Sequence, residues 1–146
     1  MTEPRLVTIE KLDDTPFAKE PRRATNGSAC FDVYAAEETT VYPGKVTLVR
    51  TGLKMKAPHG TFIEIRPRSG LSTKGVIMVN APGTIDSDYA LEVKVPLTII
   101  FGDSYQIKVG DRIAQLRVVD DVPAAFTWGH VLPSGNRDGG FGSTGK

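Results

Sequence analysis

Leu91-Glu92-Val93-Lys94-Val95-Pro96-Leu97-Thr98-Ile99 is the stretch that decides the fold. Its odd-numbered positions are apolar, and between them stand Glu, Lys, Pro and Thr. Successive side chains of an extended strand point to opposite faces. Alternation with period two over nine residues therefore describes a strand with one buried face. Pro96 has no N–H to give to a ladder, which predicts an edge or a bulge at that point.

Working outward, runs of the same kind occupy residues 6–12, 31–36, 46–50, 61–66, 105–109 and 113–119. Turn signals separate them, among them Pro43-Gly44, Pro58-His59-Gly60, Phe101-Gly102-Asp103 and Val109-Gly110-Asp111. No segment sustains a 3.6-residue period beyond about two turns. The best helix candidate is short, residues 69–74, stopped by Gly75. Many short strands with a turn every ten residues or so predict an all-β domain: a sandwich, a barrel or a jelly roll.

The 146 residues carry 18 Lys+Arg against 17 Asp+Glu, a formal charge of +1. A chain of this length is most simply one domain, and we find neither a repeat nor a linker. The near-zero charge argues against a general electrostatic grip on nucleic acid or membrane, so no stable nucleic-acid binding is expected. Hydrophobic residues at 40% and charged residues at 24% place the chain among ordinary globular proteins. A single cysteine, Cys30, cannot form an intrachain disulfide, which fits the cytoplasm or another reduced intracellular compartment. Cys30, His59 and His130 have no zinc-site spacing. The N-terminal stretch lacks the blocks of a signal peptide, and no apolar run approaches 18 residues, so no membrane segment is expected.

Residues 134–146 differ in kind: five are glycine, and only Phe141 is bulky and apolar. Such a stretch has little to bury, so the expected division is a body over residues 1–133 and a mobile tail over 134–146. Gly140, Gly142 and Gly145 fit a dinucleotide fingerprint by letter, and the stretch to Lys146 fits most of a phosphate-binding loop. Both motifs need a following helix to aim its amides at phosphate, and none is expected here. What survives is a run of backbone amides, two hydroxyls and one ring that could fold over a ligand.

Four other places carry chemistry. Arg66-Pro67-Arg68-Ser69-Gly70 leads into the short helix; Ser69 stands where a cap would stand, and Arg68 offers a planar fork for phosphate oxygens. The alternative is a capped turn with solvated arginines. Asn80-Ala81-Pro82-Gly83-Thr84-Ile85-Asp86-Ser87-Asp88-Tyr89 has the look of a tight hairpin. Asp86 and Asp88 would share a face in extended chain, and one could serve as a general base toward water. Asn80 carries donor and acceptors suited to the edge of a base, and Tyr89 could pack against a sugar. Turn chemistry and a core tyrosine are the plainer reading. In Gly110-Asp111-Arg112-Ile113-Ala114-Gln115-Leu116, alternation puts Gln115 on the face of Ile113 and Arg117, where its amide needs a partner. Asp32 is a carboxylate inside an apolar strand, able to hold water around a cation or to cap a turn.

These segments, in this order and together with the tail, resemble the five motifs of the trimeric dUTPase family. Pro67-Arg68-Ser69-Gly70, Gly110-Asp111-Arg112-Ile113-Ala114-Gln115, and Arg137 with Gly140-Phe141-Gly142-Ser143-Thr144-Gly145 are close to verbatim. The resemblance implies a β jelly roll with a β-clip-like body, assembled as a homotrimer whose active sites are shared between subunits. It implies hydrolysis of dUTP to dUMP and pyrophosphate with Mg²⁺, which limits uracil incorporation into DNA and supplies dUMP for thymidylate synthesis. By the same resemblance, Asp86 is the base for the water that attacks the α-phosphorus. Asn80 and the backbone of Gly83, Thr84 and Ile85 form the uracil pocket, and Tyr89 packs under deoxyribose, leaving no room for a 2′-hydroxyl. Arg68, Ser69, Gly70 and Gln115 match the phosphate binders, and Asp32 contacts magnesium through water. In the tail, which becomes a lid, Phe141 stacks on uracil beside Gly142, while Arg137, Ser143 and Thr144 engage the outer phosphates.

Two departures stand out. Cys30 replaces a common family glycine, and Ala90-Leu91 follows the motif tyrosine where Arg-Gly is common. The readings set against this one are a dCTP deaminase of the same fold and a jelly-roll binding module without enzymatic activity.

Overall fold

The computed structural model describes residues 3–142. In chain order the elements are β1 (Thr8–Lys11), β2 (Phe31–Tyr34), β3 (Thr39–Val41), β4 (Thr47–Lys56) and β5 (Thr61–Arg66), then α1 (Ser69–Ser72). The chain continues with β6 (Val76–Met78), β7 (Gly83–Ile85), β8 (Glu92–Ile99), β9 (Tyr105–Ile107) and β10 (Arg112–Asp120). One sheet runs β1-β4-β8-β6, a second β2-β10-β5-β7, and β3 pairs with β9 in a small ribbon. Every pairing between these strands is antiparallel. The all-β expectation with one short helix holds. No helix among the described residues is long and apolar enough to cross a membrane.

The inner faces of the two sheets form one core. Val93, Val95, Leu97 and Ile99 of β8 are buried, and Lys94 between them is exposed, as the alternation requires. Ile63, Ile65, Ala114 and Leu116 come from the opposing sheet, and Ile107 from the ribbon. Each fully buried aliphatic side chain of this size stabilises by about 1.5–3 kcal/mol, which is what holds the layers face to face.

Pro96 is not at a sheet edge, because β8 lies between β4 and β6. The position is tolerated for a local reason. The Pro96 carbonyl accepts from the Val79 N–H, and the last β6 pair is Met78↔Leu97. A residue's N–H and C=O point to the same side of a strand, so the missing donor falls where the neighbouring strand stops.

β4 extends beyond the expected 46–50 run, through Gly52. Its register against β8 passes from Arg50↔Lys94 to Lys54↔Glu92, so Thr51, Gly52 and Leu53 face Val93 alone. Gly52 has φ +69°, a left-handed conformation that favours glycine. The bulge leaves few polar groups unpaired: Thr51 Oγ1 donates to the Val93 carbonyl at 2.6 Å, and the Leu53 N–H donates to Thr51 Oγ1 at 3.2 Å. The Gly52 N–H donates to Glu92 Oε1 at 3.1 Å.

Two local expectations are corrected. Ser69 is not the cap of α1 but its first residue; Arg68 holds the N-cap position with extended backbone and makes no side-chain cap bond. The 80–89 segment is not a hairpin with the next strand, since β7 pairs with β5 while β8 pairs with β4 and β6. The segment instead carries the chain from one sheet to the other and back.

A Cβ at Gly52 would meet the side chain of Thr15 and the Cβ of Ala18, the latter at 2.8 Å. Gly44 has a similar φ of +76° with nothing within 4 Å. Gly44→Ala is therefore expected to cost about 1–2 kcal/mol from backbone strain alone. Gly52→Ala adds overpacking and is expected to cost about 2–5 kcal/mol. Urea midpoints at one fixed protein concentration would rank the two.

Candidate active site

Asp32 of β2, Gln115 of β10, and Arg68 and Ser69 at the start of α1 are far apart in the chain, yet they line one cavity of about 290 Å³. Register brings them together. Gln115 of β10 is opposite Asp32 of β2 on one side and Arg66 of β5 on the other. Residues directly opposite in an antiparallel pair share a face, so Asp32, Gln115 and Arg66 form one row on the outer side of their sheet. Arg66 ends β5, and the chain passes through Pro67 to Arg68 and Ser69 at the start of α1. The Gln115 amide Nε2 donates to the Pro67 carbonyl at 2.9 Å, fixing that turn against β10. Gly70, by contrast, lines a neighbouring cleft with Arg68 rather than this cavity.

Asp32 is 9% exposed, and a carboxylate so buried needs partners. Arg68 Nε donates to Oδ1 at 3.1 Å, and Arg112 NH1 lies 3.6 Å from Oδ2. Arg68 NH1 also donates to the Arg112 carbonyl at 3.4 Å. The fork expected to meet phosphate thus already leans on the carboxylate expected to face the metal. The hydroxyl of Ser69 has no hydrogen-bond partner among the described residues, so it is open to a ligand. Arg112 received no role from the sequence. A register shift between Arg112 and Ala114 turns Ile113 into the core at 1% exposure and puts Arg112 beside Asp32. Ile113 therefore does not share a face with Gln115, contrary to simple alternation.

Further along the same outer face, Glu64 accepts from Arg66 Nε at 2.7 Å and from Arg117 Nε at 2.9 Å. Those two bonds, Arg66's first, hold its carboxyl below the ordinary carboxylate range.

A second cavity, of about 190 Å³, is lined by Asn80, Gly83, Thr84, Ile85 and Tyr89 together with buried residues such as Ile65 and Val93. β7 adds to the edge of β5 with Gly83 opposite Ile65. A Cβ on Gly83 would stand 3.1 Å from Asn80 Nδ2, so glycine lets the amide lie against the backbone. The Tyr89 hydroxyl donates to the Glu92 carbonyl at 2.9 Å, which fixes the ring at the rim. Asp86 lies in the adjoining turn, closed by the Tyr89 N–H donating to its carbonyl at 3.1 Å. The turn means that Asp86 and Asp88 are not two positions of one extended strand. Asp86 is exposed, and its carboxylate has no hydrogen-bond or ion-pair partner among the described residues.

The two cavities share no lining residue. One draws on the outer row of Asp32 and Gln115, the other on inward-facing Ile65 and Ile85, which are buried. Within a single chain the two halves thus line separate cavities. After Asp121, whose N–H donates to the Gly60 carbonyl, the chain leaves the body. Val122, Phe126, Trp128, Val131 and Leu132 along this arm are all exposed. Arg137 donates to the Gly139 carbonyl at 3.0 Å, and Phe141 is fully exposed; neither they nor Gly142 line either cavity. Ser143 and Thr144 lie outside the described residues.

Among the described residues no group of three or more His, Cys, Asp or Glu side chains could cage a metal. A lone buried carboxylate among arginines does not suit direct coordination of Mg²⁺, which takes several oxygen ligands. It does suit contact through water with an ion held mainly by phosphate oxygens. The donor set therefore fits the expected role of Asp32.

A family model described as dUTPase matches residues 17–145. The chain is 40% identical over 141 residues to deoxyuridine 5′-triphosphate nucleotidohydrolase of Helicobacter pylori (strain P12), covering 95% of this chain and 96% of the relative. It is 48% identical over 133 residues to the enzyme of the same name from Anaeromyxobacter sp. (strain Fw109-5), covering 90% of each. Among solved structures, Staphylococcus bacteriophage 80alpha dUTPase with dUPNHPP superposes with a TM-score of 0.81 at 23% identity, over 96% of this chain and 98% of that one. A mutant dUTPase of phage phi11 of S. aureus, described with a structural Mg(II) ion, gives 0.74 at 21% identity, over 87% and 98%. At these identities the structures speak for the fold.

The Glu64 cluster sets a pH dependence. A carboxyl depressed in the folded state adds stability above its unfolded value and loses it as pH falls through the folded one. Stability should therefore decline as pH drops below the ordinary value of 4.5. Glu64→Gln should give a shallower acid limb in urea midpoints measured from neutrality downward. An unchanged limb would remove Glu64 as a contributor.

Proposed function

The chain belongs to the dUTPase family, and on that premise we propose how its own residues carry out the hydrolysis of dUTP to dUMP and pyrophosphate. The observation that carries the assignment of roles is the convergence of Asp32, Arg68, Ser69 and Gln115 on one cavity. Those are the groups that a triphosphate and its counter-ion require.

The reaction adds water across the bond between the α- and β-phosphates. A water oxygen attacks the α-phosphorus, the bond to the bridging oxygen breaks, and pyrophosphate leaves. Asp86 takes the proton from that water; its exposed, unpartnered carboxylate supports the role. Arg68, Ser69, Gly70 and Gln115 hold phosphate oxygens and offset the charge that builds on them. Asp32 would hold water around Mg²⁺, and the ion when bound would neutralise phosphate charge. For Arg68 to reach the triphosphate it exchanges its bond to Asp32 for one to phosphate, which leaves that carboxylate free for the metal's water shell.

On the base side, Asn80 and the backbone of Gly83, Thr84 and Ile85 read uracil, and Tyr89 packs under the sugar. The separation of the two cavities within one chain supports a site completed between chains, and the exposed apolar arm supports assembly by burial against other copies. Both favour a homotrimer with shared active sites. In it, residues 134–146 close as a lid: Phe141 stacks on uracil beside Gly142, with Arg137, Ser143 and Thr144 at the outer phosphates. Closure would exclude bulk water from the reacting centre.

Asp86→Asn keeps the shape of the side chain and removes its basicity. Turnover should fall about 10²–10⁴-fold, while affinity for a non-hydrolysable dUTP analogue stays within a few-fold. Steady-state pyrophosphate release and calorimetric titration would measure the two. Near-normal turnover would remove Asp86 from this role.

A further inference from the structure

The ring that borders the sugar is tied down at its hydroxyl, and the tie leads away from the site. Tyr89 donates to the backbone carbonyl of Glu92 at 2.9 Å. The next two residues after Tyr89, Ala90 and Leu91, carry no polar side-chain atom, and Leu91 projects into solvent. The next side chain able to anchor this exit is that of Glu92, and it is held from three directions. Arg50 Nε reaches Oε1 at 3.0 Å and Oε2 at 3.1 Å, and the Gly52 N–H donates to Oε1 at 3.1 Å. Lys94 Nζ lies 3.7 Å from Oε2. The Glu92 side chain is only 9% exposed, so the carboxylate plugs the β4 bulge rather than sampling solvent.

Arg50 is fixed in turn. NH1 donates to Asp14 Oδ2 and NH2 to Asp14 Oδ1, both at 3.0 Å, the two parallel bonds of a forked pair. Glu37 Oε2 lies 3.7 Å from NH1. With its side chain 21% exposed, Arg50 bridges the N-terminal turn, the bulge of β4 and the first residue of β8. Such bidentate geometry restricts both partners in position and orientation, more than a single ammonium contact would.

We propose that Arg50 is a positioning residue for sugar discrimination: by locking Glu92 it fixes the carbonyl on which the Tyr89 hydroxyl rests, and so sets where the ring meets deoxyribose. The inference rests on the reading of Tyr89 as the ring under the sugar. A 2′-hydroxyl is refused by closeness, and a ring free to shift by a fraction of an ångström refuses it less well. Asp86 meets this chain of contacts only through its backbone carbonyl, which accepts from the Tyr89 N–H, and its carboxylate lies outside it, so binding and selectivity should move more than the rate of the chemical step.

The test compares kcat/KM for dUTP with that for UTP. Arg50→Met keeps the length of the stem and removes the fork. It should lower the dUTP-over-UTP ratio about tenfold, the loss expected for one hydrogen bond to a partner left unheld. KM for dUTP should rise while kcat stays within about twofold, and Tyr89→Phe should give a similar loss. In the double variant the two losses should not multiply, because both cut the same tether. Arg50→Lys keeps the charge but cannot bridge both carboxylates; it should give an intermediate loss, and it carries the test alone if Arg50→Met does not fold.

A purely structural Arg50 would lower the melting temperature and leave the ratio unchanged, which would overturn the proposal. Losses that multiply in the double variant would also overturn it. Tyr89→Ala separates the two levels. If it collapses the ratio while the Arg50 variants do not, the tether fails and the role of Tyr89 stands. If it leaves the ratio intact, the reading of Tyr89 fails and the tether with it.

Discussion

The register of β10 is the constraint on which the phosphate half of the site depends. Gln115 must sit between Asp32 and Arg66 for the row on the outer face to exist at all. A slip by one residue would turn Gln115 into the core and an apolar neighbour outward. Packing specifies the register from the other side: Ala114 and Leu116 are buried, and so are Val33 and Ile65 across the sheet. The same hydrophobic alternation that closes the core therefore aligns three polar residues from distant parts of the chain. The bulge after Arg112 then adds a second arginine to Asp32 without disturbing the pairs beyond it.

The base half depends on a different device. β7 is three residues long and leaves its sheet at once, so the turn that follows can hold Asp86 in solvent and Tyr89 at the rim of a cavity. The halves are separate cavities in one chain. On the proposed trimer this stops being a difficulty, because one copy presents its Asp32 row and another its Asp86 turn. Assembly would then be part of the catalytic apparatus as well as a source of stability, and the apolar arm after Asp121 supplies exposed surface for it to bury.

Long, regular features were legible in the sequence, and short or compensated ones were not. The alternation of residues 91–99 identified β8, and residues 61–66 coincide with β5, because one face of each is fully buried. The motif resemblance named Asp32, Arg68, Ser69 and Gln115 of one cavity and Asn80, Gly83, Thr84, Ile85 and Tyr89 of the other. β3, β6 and β7, three residues each, escaped notice, whereas β9, equally short, was found within the longer apolar run 105–109. The length of β4 was hidden by Gly52, which reads as a stop but forms a bulge whose polar groups find partners across the sheet. Pro96 was misplaced because a missing donor is harmless where the neighbouring strand ends. Arg112 could have been found only with the β10 register in hand, since nothing in its own neighbourhood points to Asp32. The positions of Arg137, Phe141 and Gly142 near substrate remain a reading from motif likeness, supported by their presence on an arm that reaches away from the body.

The proposed arrangement selects one nucleotide and hydrolyses it between the α- and β-phosphates. The most direct measurement is pyrophosphate release from each dNTP and from UTP, with Mg²⁺ and again with chelator. Release is expected from dUTP alone, and is lost when the metal is removed. Silence on dUTP from a folded assembly would contradict the catalytic reading, and comparable release from every nucleotide would contradict the selective pocket built by Asn80, Gly83 and Tyr89.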